Sequence, residues 1–252
     1  MYTLYVIPGS HACRSAILML EHKRLSHRRI DIPTLLHPLV ARLYGFDAGG
    51  QTRTAGRHRP SGLRLGDRLG TVPALAADGE RISTNHRIAR FLDDRHPEPA
   101  LLPSQPDRRR AVEEVERWAN ETLQMAARRI ALGATLREDW PERSRGLGDG
   151  RMGHLLYRST WARRRLIPLI RLPFAVDPAA ERELLATLPA LLDRVDAWIA
   201  EGLIGGAQPN VADLMVAPSL ALMLYRPELR GFFEGRPALD LADRLLAEPS
   251  RA

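Results

Sequence analysis

The spacing of apolar residues changes along the chain, and the change divides it in two. Tyr2 to Ile7 is β-rich and loosely alternating, and Pro8-Gly9 ends it, which predicts a first strand. Ser10 is a candidate N-cap. Cys13, Ile17, Leu18, Leu20 and Leu25 keep roughly helical spacing, so a helix is expected to about Arg24. His27 to Ile32 reads as a second strand, closed by Pro33. A third apolar run, Val72 to Ala76, carries Pro73 at its start, where a residue without an N–H is tolerated. Asp78-Gly79 is a tight-hairpin signal, and Arg81 to Ser83 can be the returning strand. Thr84 and Asn85 are both good N-caps for a helix with Ile88, Phe91 and Leu92 on one face. That helix stops near His96-Pro97.

The order is β-α-β, then β-β-α. Two strands joined by a helix lie parallel with a right-handed crossover, and the hairpin adds an antiparallel pair. The expected fold class is a thioredoxin-like α/β domain with a mixed four-stranded sheet. Between its halves lies a long connection from Pro33 to Gly70. Leu35, Leu36, Leu39, Val40 and Leu43 predict a short helix there. Residues 45–70 are rich in glycine and arginine and have no period. They read as a surface insertion, or as a cationic lid built on Arg53, Arg57 and Arg59.

Prolines 97, 99, 103 and 106 mark an extended linker over residues 97–106. The domains are therefore expected at 1–96 and 107–252, the second all-helical. Val112, Val115, Trp118, Leu123, Ala126 and Ile130 give one helical face. Trp161, Leu166 and Ile170 suggest a helix over 151–171, after a loop at 145–150. Residues 178–200 are a regular amphipathic helix. Asn210-Val211-Ala212-Asp213 reads as a capping box before an apolar helix, Leu214 to Leu224. A last helix is expected over about 238–246.

Composition changes this picture little. The chain has 252 residues, 44% hydrophobic and 27% charged, as in a soluble globular protein. The formal net charge is +7, and Lys23 is the only lysine. Acidic residues interleave with the arginines, and the short clusters at 108–110 and 163–165 lack the aromatics of a nucleic-acid platform. Nucleic acid is not the expected partner. No run is long enough for a membrane span, and the N-terminus lacks the basic and apolar regions of a signal peptide. A single cysteine, Cys13, excludes an intramolecular disulfide and suits a reducing cytoplasm. One cysteine and scattered histidines form no metal-ligand set.

Strand, turn, strand and helix start place a proline-fixed backbone edge beside free helix N–H groups. That pairing suits an amino-acid-like ligand with a backbone to match and a carboxylate to hold. At the tip before the first helix, Ser10 reads as a cap. Cys13 reads either as a small buried side chain or as a thiol activated by the helix start and Arg14. His11 is a further titratable group at this tip.

Three segments carry a family resemblance: Thr71-Val72-Pro73-Ala74-Leu75, Thr84-Asn85-His86-Arg87-Ile88 with Phe91-Leu92, and the Asn210 to Asp213 capping box. In this order, with a proline-rich linker between, they resemble a cytosolic glutathione S-transferase over nearly the whole chain. The resemblance implies that Pro73 is cis and that Val72 pairs by backbone with the cysteine of a thiol peptide. It places Thr84 and Asn85 where the family has the Glu-Ser pair that holds the γ-glutamyl group. The acid that would meet the ligand's ammonium is thus missing. Ser10 stands where serine-type members keep a hydroxyl that stabilises the thiolate, and Cys13 stands where glutaredoxin-like relatives have their second cysteine. Tyr5 is one position out of register with Val6 for the role that a tyrosine plays in other members. The resemblance further implies glutathione or another low-molecular-weight thiol as co-substrate, a small hydrophobic electrophile near Trp118, Met125 and Arg128, a homodimer, and a cytoplasmic location. A non-catalytic binding or regulatory protein of the same fold stays open, as does a monothiol reductase using Cys13.

Overall fold

The computed structural model describes residues 1–33, 36–47, 70–136 and 176–246, with residues 159, 161, 165 and 174. The chain divides into two compact units, one built on Met1–Ala100 and the other on Leu101–Arg137 with Ala175–Ala252.

The first unit holds strands β1 (Tyr2–Val6), β2 (His27–Asp31), β3 (Ala74–Ala77) and β4 (Glu80–Ser83). Its helices are α1 (His11–His22), α2 (His37–Leu43) and α3 (Asn85–Arg95). The sheet order is β2-β1-β3-β4. β1 runs parallel to β2, and β3 and β4 are antiparallel to their neighbours. This is the expected thioredoxin-like mixed sheet. Asp78 and Gly79 turn the hairpin with φ of 50° and 87°, the left-handed pair that such a turn requires. β3 starts at Ala74, two residues later than the apolar pattern suggested, because Pro73 has no N–H to add to the ladder. α1 ends at His22, not Arg24, with Lys23 as its C-cap and Arg24 at φ 55°.

Alternation along β1 builds a core on each face of the sheet. Tyr5 packs with Ile32, Ala41, Phe46 and Ala74. Leu4 and Val6 point the other way and are fully buried, as are Met19 and Leu20 of α1 and Ile88 and Leu92 of α3. Phe46, at 1% exposure, corrects the expectation of an unpatterned stretch from residue 45 onward. Burying such a ring is worth about 1.5–3 kcal/mol. It anchors the start of the long connection, and Thr71 N–H donates to Asp47 C=O at 3.2 Å where the chain returns. The proposed lid residues Arg53, Arg57 and Arg59, the loop at 145–150, and almost all of the 151–171 helix lie outside the described residues.

The described part of the second unit is helical. Its elements are α4 (Pro106–Trp118), α5 (Gln124–Gly133), α6 (Pro178–Ala200), α7 (Val211–Leu224), α8 (Arg230–Phe233) and α9 (Pro237–Leu245). A π-helical turn, Ala119–Leu123, joins α4 to α5. Trp118 meets the Trp198 ring edge-on at 4.9 Å, and Arg194 lies over both rings. α7 is buried at almost every position, and its capping box is complete: Asn210 accepts from Ala212 and Asp213 N–H, and Asp213 accepts from Asn210 N–H.

Candidate functional site

The register of the sheet decides which loops meet. Tyr5 pairs with Ala74, and Ala74 pairs with Ser83. The end of β1, the start of β3 and the end of β4 therefore share one end of the sheet. The tip at Ile7 to Ser10, the turn at Thr71 to Pro73 and the start of α3 emerge together there. Two hydrogen bonds tie them. Thr84 N–H donates to Pro73 C=O at 3.1 Å, and Asn85 Nδ2 donates to Ala12 C=O at 2.9 Å.

Ser10 is the N-cap of α1, with extended backbone, and its Oγ accepts Cys13 N–H at 3.4 Å. A hydroxyl carries one donor as well as its acceptor lone pairs. The cap uses only an acceptor, so capping and donation to a ligand are compatible uses of the one side chain. Cys13 is 1% exposed, and its Sγ accepts Ile7 N–H at 3.3 Å. The sulfur is packed as a small buried side chain, out of reach of a dissolved reagent.

The Val72–Pro73 peptide bond is cis. Val72 is half-buried and lies before the β1–β3 ladder, which begins at Ala74. Its backbone edge is thus outside the sheet's own pairing.

Thr84 has φ 78° and ψ 144°, a rare conformation for a β-branched residue, costing on the order of 1–3 kcal/mol. Its Oγ1 caps Arg87 N–H at 3.5 Å, and its C=O takes Ile88 N–H at 3.0 Å. Asn85 was an alternative cap; it is instead the first residue of the helix. Both side chains are buried, at 2% and 3% exposure, so neither presents its polar end to the surface. Asn85 N–H has no intrahelical acceptor, as expected of a first-turn donor. A carboxylate placed at this end would meet backbone N–H groups and the helix dipole, worth about 0.3–1 kcal/mol. Arg87, exposed on the first turn of α3, pairs with Asp47 at 3.2 Å.

The sequence marked Ser10, Val72, Pro73, Thr84 and Asn85, and the sheet brings these segments to one end. It gave no sign of the Asn85–Ala12 bond or of the positive φ at Thr84. The first spans 73 residues, and the second is set by the turn from β4 into α3. Among the described residues no cluster of His, Cys, Asp or Glu could hold a metal ion. Among them, no helix is long and apolar enough to cross a membrane.

Residues 4–100 match the family model of the glutathione S-transferase N-terminal domain. No curated protein sequence matches the chain. Among solved structures, a glutathione S-transferase of Ceriporiopsis subvermispora in complex with glutathione superposes with a TM-score of 0.64 at 15% identity, covering 100% of this chain and 99% of that one. A beta-etherase of Sphingobium sp. strain SYK-6 gives 0.61 at 17% identity, over 98% of this chain and 96% of its own. Maleylacetoacetate isomerase of Anaeromyxobacter dehalogenans 2CP-1, with bound dicarboxyethyl glutathione and citrate, gives 0.51 at 20% identity, over 99% and 91%.

Proposed function

We propose, from an N-terminal domain that matches the glutathione S-transferase model over residues 4–100 and a fold shared with solved glutathione S-transferases, that the chain activates a low-molecular-weight thiol, glutathione first, for attack on a small hydrophobic electrophile. The observation that carries this reading is the meeting of Ser10, the Val72–Pro73 edge and the start of α3 at one end of the sheet. Val72 offers a backbone edge to the thiol peptide. The first-turn N–H groups of α3, beginning with Asn85 behind the Thr84 cap, receive its carboxylate. Ser10 donates its hydroxyl hydrogen to the sulfur.

That hydrogen bond favours the thiolate over the thiol and lowers the thiol's pKa. The proton leaves to solvent. The thiolate's electron pair forms the new S–C bond, and the electrophile releases a leaving group with its bonding pair or takes up a proton after addition. Conjugation and isomerisation both begin with this step; a reduction needs a second thiol as well, whose thiolate attacks the bound sulfur, releases the reduced product with the bonding pair and leaves a disulfide. The chain's contribution is charge stabilisation and orientation. We further propose residues 1–96 and 107–252 as the functional domains, a homodimer as the working form and the cytoplasm as its place.

The burial of the Thr84 and Asn85 side chains, with no acid at either position, favours a second reading: a non-catalytic binding or regulatory protein of the same fold that has lost the γ-glutamyl site. A thermal-shift titration with reduced glutathione tests the binding that the first reading requires. A ligand held only by the folded state adds about 2.7 kcal/mol at one hundred times its dissociation constant. A saturable rise in Tm is expected. Its absence with glutathione and with other cellular thiols would remove the thiol reading, and turnover of any electrophile would remove the non-catalytic one.

A further inference from the structure

We infer that the Asn85 side chain is a positioning residue: it fixes the tip of α1, and with it Ser10, against the start of α3, and does not itself hold the ligand. The inference rests on the proposed thiol chemistry for its kinetic part and on geometry for the rest.

Asn85 Nδ2 donates to Ala12 C=O at 2.9 Å. Ala12 lies in the first turn of α1, two residues after the Ser10 cap and one before Cys13. Two segments that carry the proposed thiol chemistry are thus joined by one side chain. The amide is 3% exposed, so its polar end is turned into the protein and away from any ligand at the surface. Its other atom, Oδ1, is buried without a hydrogen-bond partner among the described residues. One bond is made and one acceptor is left unmade, and these oppose each other in stability. What the side chain contributes is therefore chiefly a fixed distance. A shift of the α1 tip would move the Ser10 hydroxyl away from the sulfur it serves, and misplacement of a reacting geometry by about 1 Å costs on the order of a hundred-fold in rate.

The test uses Asn85→Ala and Asn85→Ser in the full chain. Serine keeps a polar residue at the helix start but is too short to reach Ala12. Two readouts are taken. The first is kcat and KM for glutathione. Both variants are expected to lose about ten-fold or more in kcat, with KM within about two-fold of the wild type, the pattern of an interaction felt in the transition state. The second needs no thiol turnover: the rate at which Cys13, the one cysteine of the chain, reacts with a disulfide reagent. Cys13 is shielded in the same turn, so releasing the Asn85–Ala12 link is expected to speed labelling about ten-fold by local opening.

Unchanged labelling in both variants would overturn the inference whatever the kinetics. A raised KM with unchanged kcat would also overturn it, since Asn85 would then be a ligand contact. A fall in Tm with unchanged kcat and KM would leave it a purely structural residue, and overturn it too. A wild type without turnover would remove the proposed reaction but not this test, because the labelling comparison still decides.

Discussion

Arg226 Nη1 meets Glu181 Oε1 at 2.6 Å, with side-chain exposures of 3% and 12%. The same guanidinium donates to Ile130 C=O at 2.9 Å and to Glu228 at 3.1 Å. It joins α5, α6 and the turn after α7. There is no room beside it: a Cβ at Gly133 would come within 2.7 Å of Glu181 Oε1. Removing one partner of a buried pair leaves the other charge desolvated and unmatched. Arg226→Ala is expected to cost about 3–5 kcal/mol in a urea unfolding curve. Gly133→Ala should also destabilise, by pushing Glu181 off the pair. A loss under about 1 kcal/mol for Arg226→Ala would mean that water reaches the pair.

Ser10 has two roles that substitution can separate. Glycine at an N-cap costs only a few tenths of a kcal/mol, whereas alanine costs about 1 kcal/mol. Ser10→Gly should therefore keep nearly the wild-type Tm while losing the hydroxyl that meets the sulfur. Ser10→Ala should lose both. If the thiolate is stabilised at Ser10, the two variants show the same fall in kcat and different Tm values. The pH profile of kcat/KM for thiol moves upward in both, toward the free thiol. Wild-type activity in Ser10→Gly would take Ser10 out of the chemistry.

The parts of the fold that could be read from the sequence are those set within a few residues. Asp78-Gly79 dictates its own turn, Asn210 and Asp213 cap each other across three positions, and residues 178–200 keep one periodic face. What escaped depends on partners far along the chain. Phe46 lies in a stretch without period, and only the Tyr5 face of the sheet makes it core. Arg226 finds Glu181 across 45 residues, and Asn85 finds Ala12 across 73. At the candidate site the sequence marked segments that the sheet brings to one end. It could not show that Thr84 and Asn85 turn their side chains inward, because that follows from the positive φ at Thr84.

His22 predicts a loss of stability on mild acidification. Burial chiefly, and then the Lys23 ammonium, hold its pKa below the usual 6.5, against a hydrogen bond to the Ala100 backbone. Its Nε2 is buried without a partner among the described residues. Below pH 6.5 the unfolded chain takes up the proton first, so unfolding gains protons and stability falls as pH drops toward the native pKa. Above 6.5 both states are neutral and the contribution is complete. Urea unfolding at a series of pH values should show a shallower acid slope for His22→Gln than for the wild type. Parallel slopes would mean that His22 is freely hydrated.

Asp213 predicts the opposite dependence. Its carboxylate accepts Gly205 N–H at 2.6 Å and Asn210 N–H at 2.9 Å, and both bonds favour the charged form. Burial outweighs them, and its pKa is raised above the usual 3.8. Between 3.8 and that raised value the native state holds a proton that the unfolded chain has released. The contribution is therefore complete below 3.8 and is lost as pH rises through the native pKa. Asp213→Asn does not titrate, and it loses one of the two acceptors, a constant cost of about 1–3 kcal/mol. Subtracting its stability from that of the wild type at each pH cancels the other carboxylates. The difference should be largest at acid pH and shrink as pH rises. A difference that grows with pH would mean that the two N–H donors outweigh burial, and that the capping box of α7 is strongest with its acid ionised.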